Sequence, residues 1–273
     1  MFLPPFELHR PRTLQEALDL LRELEDDDPA LYLGGTELLL LMKLGLAAPG
    51  HLIDAKRIEE LRGISMGDDE VTIGAATTHR ELELHRELGT VIPTIGSMAA
   101  AVANVRVRNV GTLGGNLCFA EPHSDPAPMF TALGAVAEVA SMEGRREVPL
   151  EGFFLGPLMT TLEEGEVLLR LRFPRPPEGA VIRYRRLAFG DRPTVSVAAV
   201  GHDRLRLVIG AVGPVPVLVD HGELTMPTDD ATIDAVAEHA GEVIEPIADA
   251  NGSVDYKRHL TRVLVRRTLR GAE

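Results

Sequence analysis

The sequence predicts an α+β chain of two domains. Three observations carry that prediction. Short apolar strands alternate with capped amphipathic helices up to residue 173, a Pro/Gly-rich break follows at Pro174-Arg175-Pro176-Pro177-Glu178-Gly179, and beyond it three strands precede two helices. At 273 residues, the chain is long enough for two cores.

The elements follow in order. Thr13-Leu14-Gln15-Glu16 reads as a capping box opening a helix with Leu14, Ala17, Leu18 and Leu21 on one face. After the turn at Asp26-Asp27-Asp28-Pro29, a strand over 30–33 runs into Gly34-Gly35-Thr36, then a helix over 37–44 stopped by Gly45. Strands are expected over 51–54 and 71–75. A second capping box, Thr78-His79-Arg80-Glu81, opens a helix expected to reach residue 88. Pro93 begins an alanine-rich helix expected over 95–105, whose small residues let another backbone or a flat ligand approach, although alanine is also simply a good helix former. A second glycine turn, Thr112-Leu113-Gly114-Gly115-Asn116, leads into a polar, Pro-rich stretch over 120–128. Strands are expected over 136–141 and 167–173. After the break come antiparallel strands over 181–189, 194–200 and 205–212, then helices over 231–240 and 256–269. The domains are therefore expected at 1–175, in two α/β subdomains of roughly 1–55 and 56–175, and at 178–273.

Composition excludes several classes. A net charge of -13 argues against nucleic acid and anionic membrane surfaces, both of which select basic patches. Cys118 is the only cysteine, so this chain holds no disulfide, iron-sulfur cluster or cysteine-based zinc site. No metal site is expected. The start of the chain lacks a basic flank before an apolar run, and no apolar run is long enough to span a bilayer. A cytoplasmic protein is expected.

A strand that feeds two glycines and then a helix start presents backbone N–H groups that no side chain blocks, which suits a phosphate. One Gly-Gly pair alone reads better as a ligand-free tight turn than as an anion site. Two such turns in one domain suit the two phosphates of a dinucleotide, yet neither matches the P-loop or the Rossmann fingerprint.

The strings Leu33-Gly34-Gly35-Thr36-Glu37-Leu38, Thr72-Ile73-Gly74-Ala75-Ala76-Thr77-Thr78-His79 and Arg108-Asn109-Val110-Gly111-Thr112-Leu113-Gly114-Gly115-Asn116-Leu117, followed by Ser124-Asp125-Pro126-Ala127-Pro128, resemble the FAD-binding medium subunit of the molybdenum hydroxylases. That family includes the flavoprotein subunits of carbon monoxide dehydrogenase, xanthine dehydrogenase and 4-hydroxybenzoyl-CoA reductase. The resemblance spans essentially the whole chain. It implies a two-subdomain FAD-binding fold of the vanillyl-alcohol-oxidase (PCMH) type, followed by a small C-terminal domain with a three-stranded antiparallel sheet and helices. It assigns Leu31, Tyr32, Leu33, Gly34, Gly35, Thr36, Glu37 and Leu38 to a first pyrophosphate loop, and Thr112, Gly114, Gly115 and Asn116 to a second. Asp125 falls where the family has an acid near the adenosine, Val102 where a residue lines the flavin site, and Leu168 where an apolar residue packs beside the ring. Arg185 stands where relatives often carry Lys, a departure that keeps the charge but not the point geometry.

The resemblance further implies an oxidoreductase subunit with FAD as its cofactor. Molybdopterin would lie in a large partner subunit and [2Fe-2S] clusters in a small one, within a hetero-oligomer such as a dimer of heterotrimers. Electrons would reach NAD+, a quinone or oxygen. No catalytic side chain is assigned, because the cofactor carries the chemistry. A self-contained flavin oxidase of the same fold and a non-redox nucleotide-binding module are the rival readings. Among the remaining residues, His79 reads as a surface residue and Cys118 as a small buried hydrophobe. Ser124 or Asp125 reads as a cap on a following helix. Tyr32, Tyr184, Tyr256 and Phe189 are the aromatics available to stack on a flavin, with core packing the alternative for each. The arginines of the last helix suit its macrodipole and a solvated face.

Overall fold

A computed structural model describes residues 2–227 and 229–271; Met1 and residues 272–273, at the outer ends of the two expected domains, lie outside it. The N-terminal subdomain contains β1 (Glu7–His9), α1 (Leu14–Glu23), β2 (Pro29–Tyr32), α2 (Leu38–Leu44) and β3 (His51–Asp54). Its three strands form a parallel sheet in the order β1-β3-β2. The residues of α1 that are buried are the four its periodicity selects, Leu14, Ala17, Leu18 and Leu21. Its cap is half of a capping box. Thr13 accepts from the Glu16 N–H, while the Glu16 carboxylate reaches the N–H of Arg12 instead of Thr13.

The second subdomain runs through β4 (Ile64–Met66), β5 (Glu70–Gly74), α3 (His79–Leu84), α4 (Arg86–Val91), α5 (Pro93–Ala101), α6 (Val105–Arg108), α7 (Leu113–Phe119) and α8 (Pro126–Ala132). It then adds β6 (Val136–Ser141), β7 (Gly144–Pro149), β8 (Phe154–Gly156), β9 (Met159–Thr160) and β10 (Val167–Pro174). Its main sheet has the order β4-β5-β10-β6-β7.

Two expected helices are interrupted. The full capping box at Thr78 is present, but the chain turns extended at His85 and restarts, with the imidazole of His85 capping α4. The alanine-rich helix stops at Ala101, because Val102 is extended and Ala103 takes a left-handed φ of 41°. Propensity favoured continuing the helix; the tertiary demand to bring Val102 and Asn104 round to a new N-cap overrides it. The helix α7 was not anticipated, because two glycines in its first turn, Gly114 and Gly115, lower local propensity.

The C-terminal domain contains β11 (Val181–Ala188), β12 (Pro193–Gly201), β13 (Leu205–Gly210), β14 (Val217–Val219), α9 (Asp230–Val243) and α10 (Val254–Arg270). Its antiparallel sheet has four strands, not three; β14 is too short to show alternation in sequence. Both faces of this sheet are buried. Val195, Val197, Ala199, Leu207 and Ile209 pack towards α9 and α10, whereas Ala198 and Val208 join the core of the N-terminal domain. Helix α8, buried at all seven positions, lies against β12 and β13. Arg206 donates to the carbonyls of Thr131 and Ala132 at the end of α8. The arginines of α10 are not simply solvated: Arg262, Arg266 and Arg270 pair with Glu238, Asp234 and Asp230 of α9 at 2.6–2.8 Å. No helix is long and apolar enough to cross a membrane among the described residues.

Candidate functional site

The site is a cleft of about 530 Å3 between the two N-terminal subdomains, rimmed by the C-terminal domain. That volume lies in the range of cofactor pockets. It brings together Leu31, Tyr32, Leu33, Gly34, Gly35, Thr36, Glu37, Leu38, Val102, Thr112, Gly114, Gly115, Asn116, Asp125 and Leu168. Neither Arg185 nor its neighbour Arg186 is among the lining residues; Arg186 touches the site through Asp125, and Arg192 is the arginine that lines it. Strand alternation explains the difference, since Tyr184 and Arg186 share the face of β11 that meets Asp125.

The two glycine turns pack backbone to backbone. A Cβ on Gly34 would come within 2.5 Å of the Val110 carbonyl oxygen and 2.7 Å of the Gly111 Cα. Their hydrogen-bond accounting differs sharply. Among the described residues, no protein acceptor takes the N–H groups of Gly34, Gly35, Thr36 or Glu37, so four successive donors remain for a ligand. In the second turn the Leu113 N–H donates to Thr77 O, Gly114 to Ala75 O, Gly115 to Thr112 Oγ1 and Asn116 to Thr112 O, all at 2.9–3.1 Å. Those donors pin α7 against β5 and the loop after it. What the second turn offers a ligand is therefore side-chain chemistry: the Thr112 hydroxyl, and the NH2 group of Asn116, whose Oδ1 accepts from Ser124 at 2.6 Å.

His79 is buried, at 3% exposure, rather than on the surface. The helix it opens is folded inward by its own backbone bond to Gly111 O at 3.0 Å. Its Nδ1 has no hydrogen-bond partner among the described residues, and the ring lines the cleft. Burial, helped by nearby Arg108, lowers its pKa from 6.5 to about 4. A depressed histidine contributes stability that is complete above pH 6.5 and is lost as pH falls through about 4. The expected loss between pH 7 and pH 4 is about 3 kcal/mol, and His79→Leu should remove that share. Urea unfolding of both proteins at the two pH values checks this; equal pH dependence would refute it.

Asp125 is buried between domains. Tyr184 Oη donates to its Oδ1 and Arg186 to its Oδ2, each at 2.6 Å. Burial pushes its pKa up to about 6, against the pull of Arg186. Asp125 makes no side-chain cap on α8; Ser124 Oγ does so, with the Ala127 N–H at 3.4 Å. At the mouth, Arg192 of the C-terminal domain pairs with Glu37 at 3.0 Å and Glu121 at 2.9 Å. His123 bridges Glu121 and Asp249, and its pKa is raised mainly by the hydrogen bond it donates to the Glu121 carboxylate. Sequence reasoning missed Arg186, Arg192 and this network, because Arg186 lies 61 residues from Asp125 and Arg192 155 from Glu37. Burial pushes the Cys118 thiol up to about 12, so it stays protonated. Of the aromatics, Tyr32 lines the cleft beneath Lys56, whose Nζ sits 3.7 Å from the ring centroid; Phe189 is 70% exposed.

Comparison with known proteins gives consistent matches. Residues 4–176 match the model of the FAD binding domain in molybdopterin dehydrogenase, and residues 176–272 that of the CO dehydrogenase flavoprotein C-terminal domain. The chain is 35% identical to the carbon monoxide dehydrogenase medium chain of Hydrogenophaga pseudoflava, over 100% of this chain and 98% of that one. It is 30% identical to the xanthine dehydrogenase FAD-binding subunit of Escherichia coli O157:H7, covering 96% and 94% respectively. Among solved structures it resembles a carbon monoxide dehydrogenase from Hydrogenophaga pseudoflava lacking the Mo-pyranopterin moiety, with a TM-score of 0.92 at 34% identity and coverage of 100% and 98%. Quinoline 2-oxidoreductase from Pseudomonas putida 86 gives a TM-score of 0.91 at 31% identity, with the same coverage.

Proposed function

The chain belongs to the FAD-binding medium subunits of the molybdenum hydroxylases, an oxidoreductase family, and we propose that it serves such an enzyme as the electron-transfer subunit. The bound flavin would supply the redox chemistry, taking electrons from [2Fe-2S] clusters of a small partner subunit and passing them to NAD+, a quinone or oxygen. Substrate would be oxidised at molybdopterin in a large subunit, within a cytoplasmic assembly such as a dimer of heterotrimers.

The observation that carries the reading is the row of four N–H groups from Gly34 to Glu37, without a protein acceptor among the described residues, on residues that line a cleft of cofactor size. In our reading these donors hold the pyrophosphate, and Thr112 and Asn116 hold it from the facing turn. Val102 and Leu168 supply apolar contact to the ring system. Asp125, already bonded to Tyr184 and Arg186, positions the wall beside the adenosine rather than acting as a free acid. We place the division between the domains at 175–178, where β10 has ended and β11 has not begun.

The purified chain is expected to show an oxidised-flavin absorption spectrum that dithionite bleaches, and to co-purify with a large and a small subunit from its native source. A colourless protein after reconstitution with FAD would refute the flavin role. Flavin reduction by a small alcohol or amine, without partners, would instead support a self-contained oxidase.

A further inference from the structure

Glu7 and His9 lie two residues apart on β1 and so project to one side of the sheet. In the parallel register Glu7 pairs with His51 of β3, which sets the second imidazole between them. The His9 Nε2 and His51 Nδ1 atoms are 3.0 Å apart, and the His51 Nδ1 to Glu7 Oε2 distance is 4.0 Å. One ligand atom from each of the three residues lies within 4.8 Å of the other two.

We propose that Glu7, His9 and His51 bind one divalent transition-metal ion of the zinc class. With metal–nitrogen bonds of about 2.0–2.1 Å, two ligands subtending roughly 95–110° stand about 3.0–3.4 Å apart. The imidazole pair already has that spacing. Glu7, 70% exposed at its side chain, would close the third position by a rotamer change. Two imidazole nitrogens and one carboxylate form the ligand set of three-ligand zinc sites that keep an open fourth position, and nitrogen donors select against magnesium and calcium.

The site is separate from the flavin cleft. None of the three residues lines that cleft, and Glu7 and His51 sit level with Pro29, at the end of the sheet away from the turn into which β2 runs. Metal here would cross-link β1, an edge strand of only three residues, to β3.

Equilibrium dialysis of the full, flavin-loaded chain against ZnCl2 in excess MgCl2 tests the proposal. One zinc ion per chain is expected. His9→Ala and His51→Ala should each weaken binding at least tenfold while leaving the flavin spectrum unchanged, and amide exchange over residues 7–9 should slow when zinc is added. Should a histidine variant fail to fold, Glu7→Gln at its exposed position decides, with a several-fold loss expected. No zinc retention at micromolar concentrations overturns the proposal. Unchanged affinity in the variants also overturns it and moves the ion elsewhere, for example to the His221–His239 pair, whose rings are 5.4 Å apart.

Discussion

Gly35→Val should fold and lose its flavin, with FAD affinity lowered at least a hundredfold. Gly35 has a φ of +69°, where a β-branched residue is strained by about 1–3 kcal/mol. Its Cβ would also stand 2.2 Å from the Tyr32 ring, which forms part of the cleft wall. Relief of either conflict re-aims the N–H groups of Gly35 and Thr36, two of the four free donors. Gly114→Val should fail differently. There the Cβ would meet Ala75 Cβ at 2.5 Å and its Cα and carbonyl oxygen at 2.8 Å, and backbone cannot swing aside as a ring can. The Gly114 N–H bond to Ala75 would break, taking the start of α7 with it. Far-UV circular dichroism and bound-FAD absorbance, measured together, separate the two. A Gly35→Val protein that keeps its flavin would refute the donor row as the pyrophosphate site.

Arg186→Ala should cost about 3–5 kcal/mol at pH 7, because it strands a buried carboxylate. Arg186 is 15% exposed and Asp125 5% at the side chain, so solvent cannot stand in for the lost partner. The same arginine donates to Ala101 O and Asp191 O, so its removal also loosens the C-terminal domain against α5. The pH dependence identifies the mechanism. The pKa of Asp125 lies at about 6, above the ordinary 3.8, so the folded state holds its proton more tightly than the unfolded one. Its contribution to stability is complete below pH 3.8 and is lost as pH rises through about 6. Without Arg186 the carboxyl shifts further up, so the deficit of the variant should be largest at pH 8 and shrink at pH 5. Urea unfolding at the two pH values measures it. An equal deficit at both would assign the loss to the backbone contacts alone.

Much of the fold was legible where one residue pattern dominated its own neighbourhood. The buried face of α1, the Thr78 capping box and the Gly45 stop each follow from contacts within a turn or two of the chain. The two glycine turns were legible as a pair, and as neighbours of Val102, Leu168 and Asp125, through the family resemblance. Where expectation and structure part, the deciding atoms come from far away. The helices that break at His85 and Val102 have nothing in their own residues that forbids continuation. His79 resembles many surface caps in sequence, and is buried because the second turn closes over it. The four-stranded sheet needed β14, three residues recruited by β13.

Residue types and their spacing are enough to establish that two glycine turns stand in one domain, that a Pro-rich segment leads to a second, and that Cys118, as the only cysteine, cannot form a cysteine ligand set. These depend on residue type and local spacing, which a one-dimensional reading holds in full. Which turn keeps its donors depends on how the folded chain packs. A glycine-rich turn has the same N–H groups in either case, and whether they are free depends on the carbonyls that come to meet them. Thr77 and Ala75 come to meet those of the second turn, whereas among the described residues none meets the first.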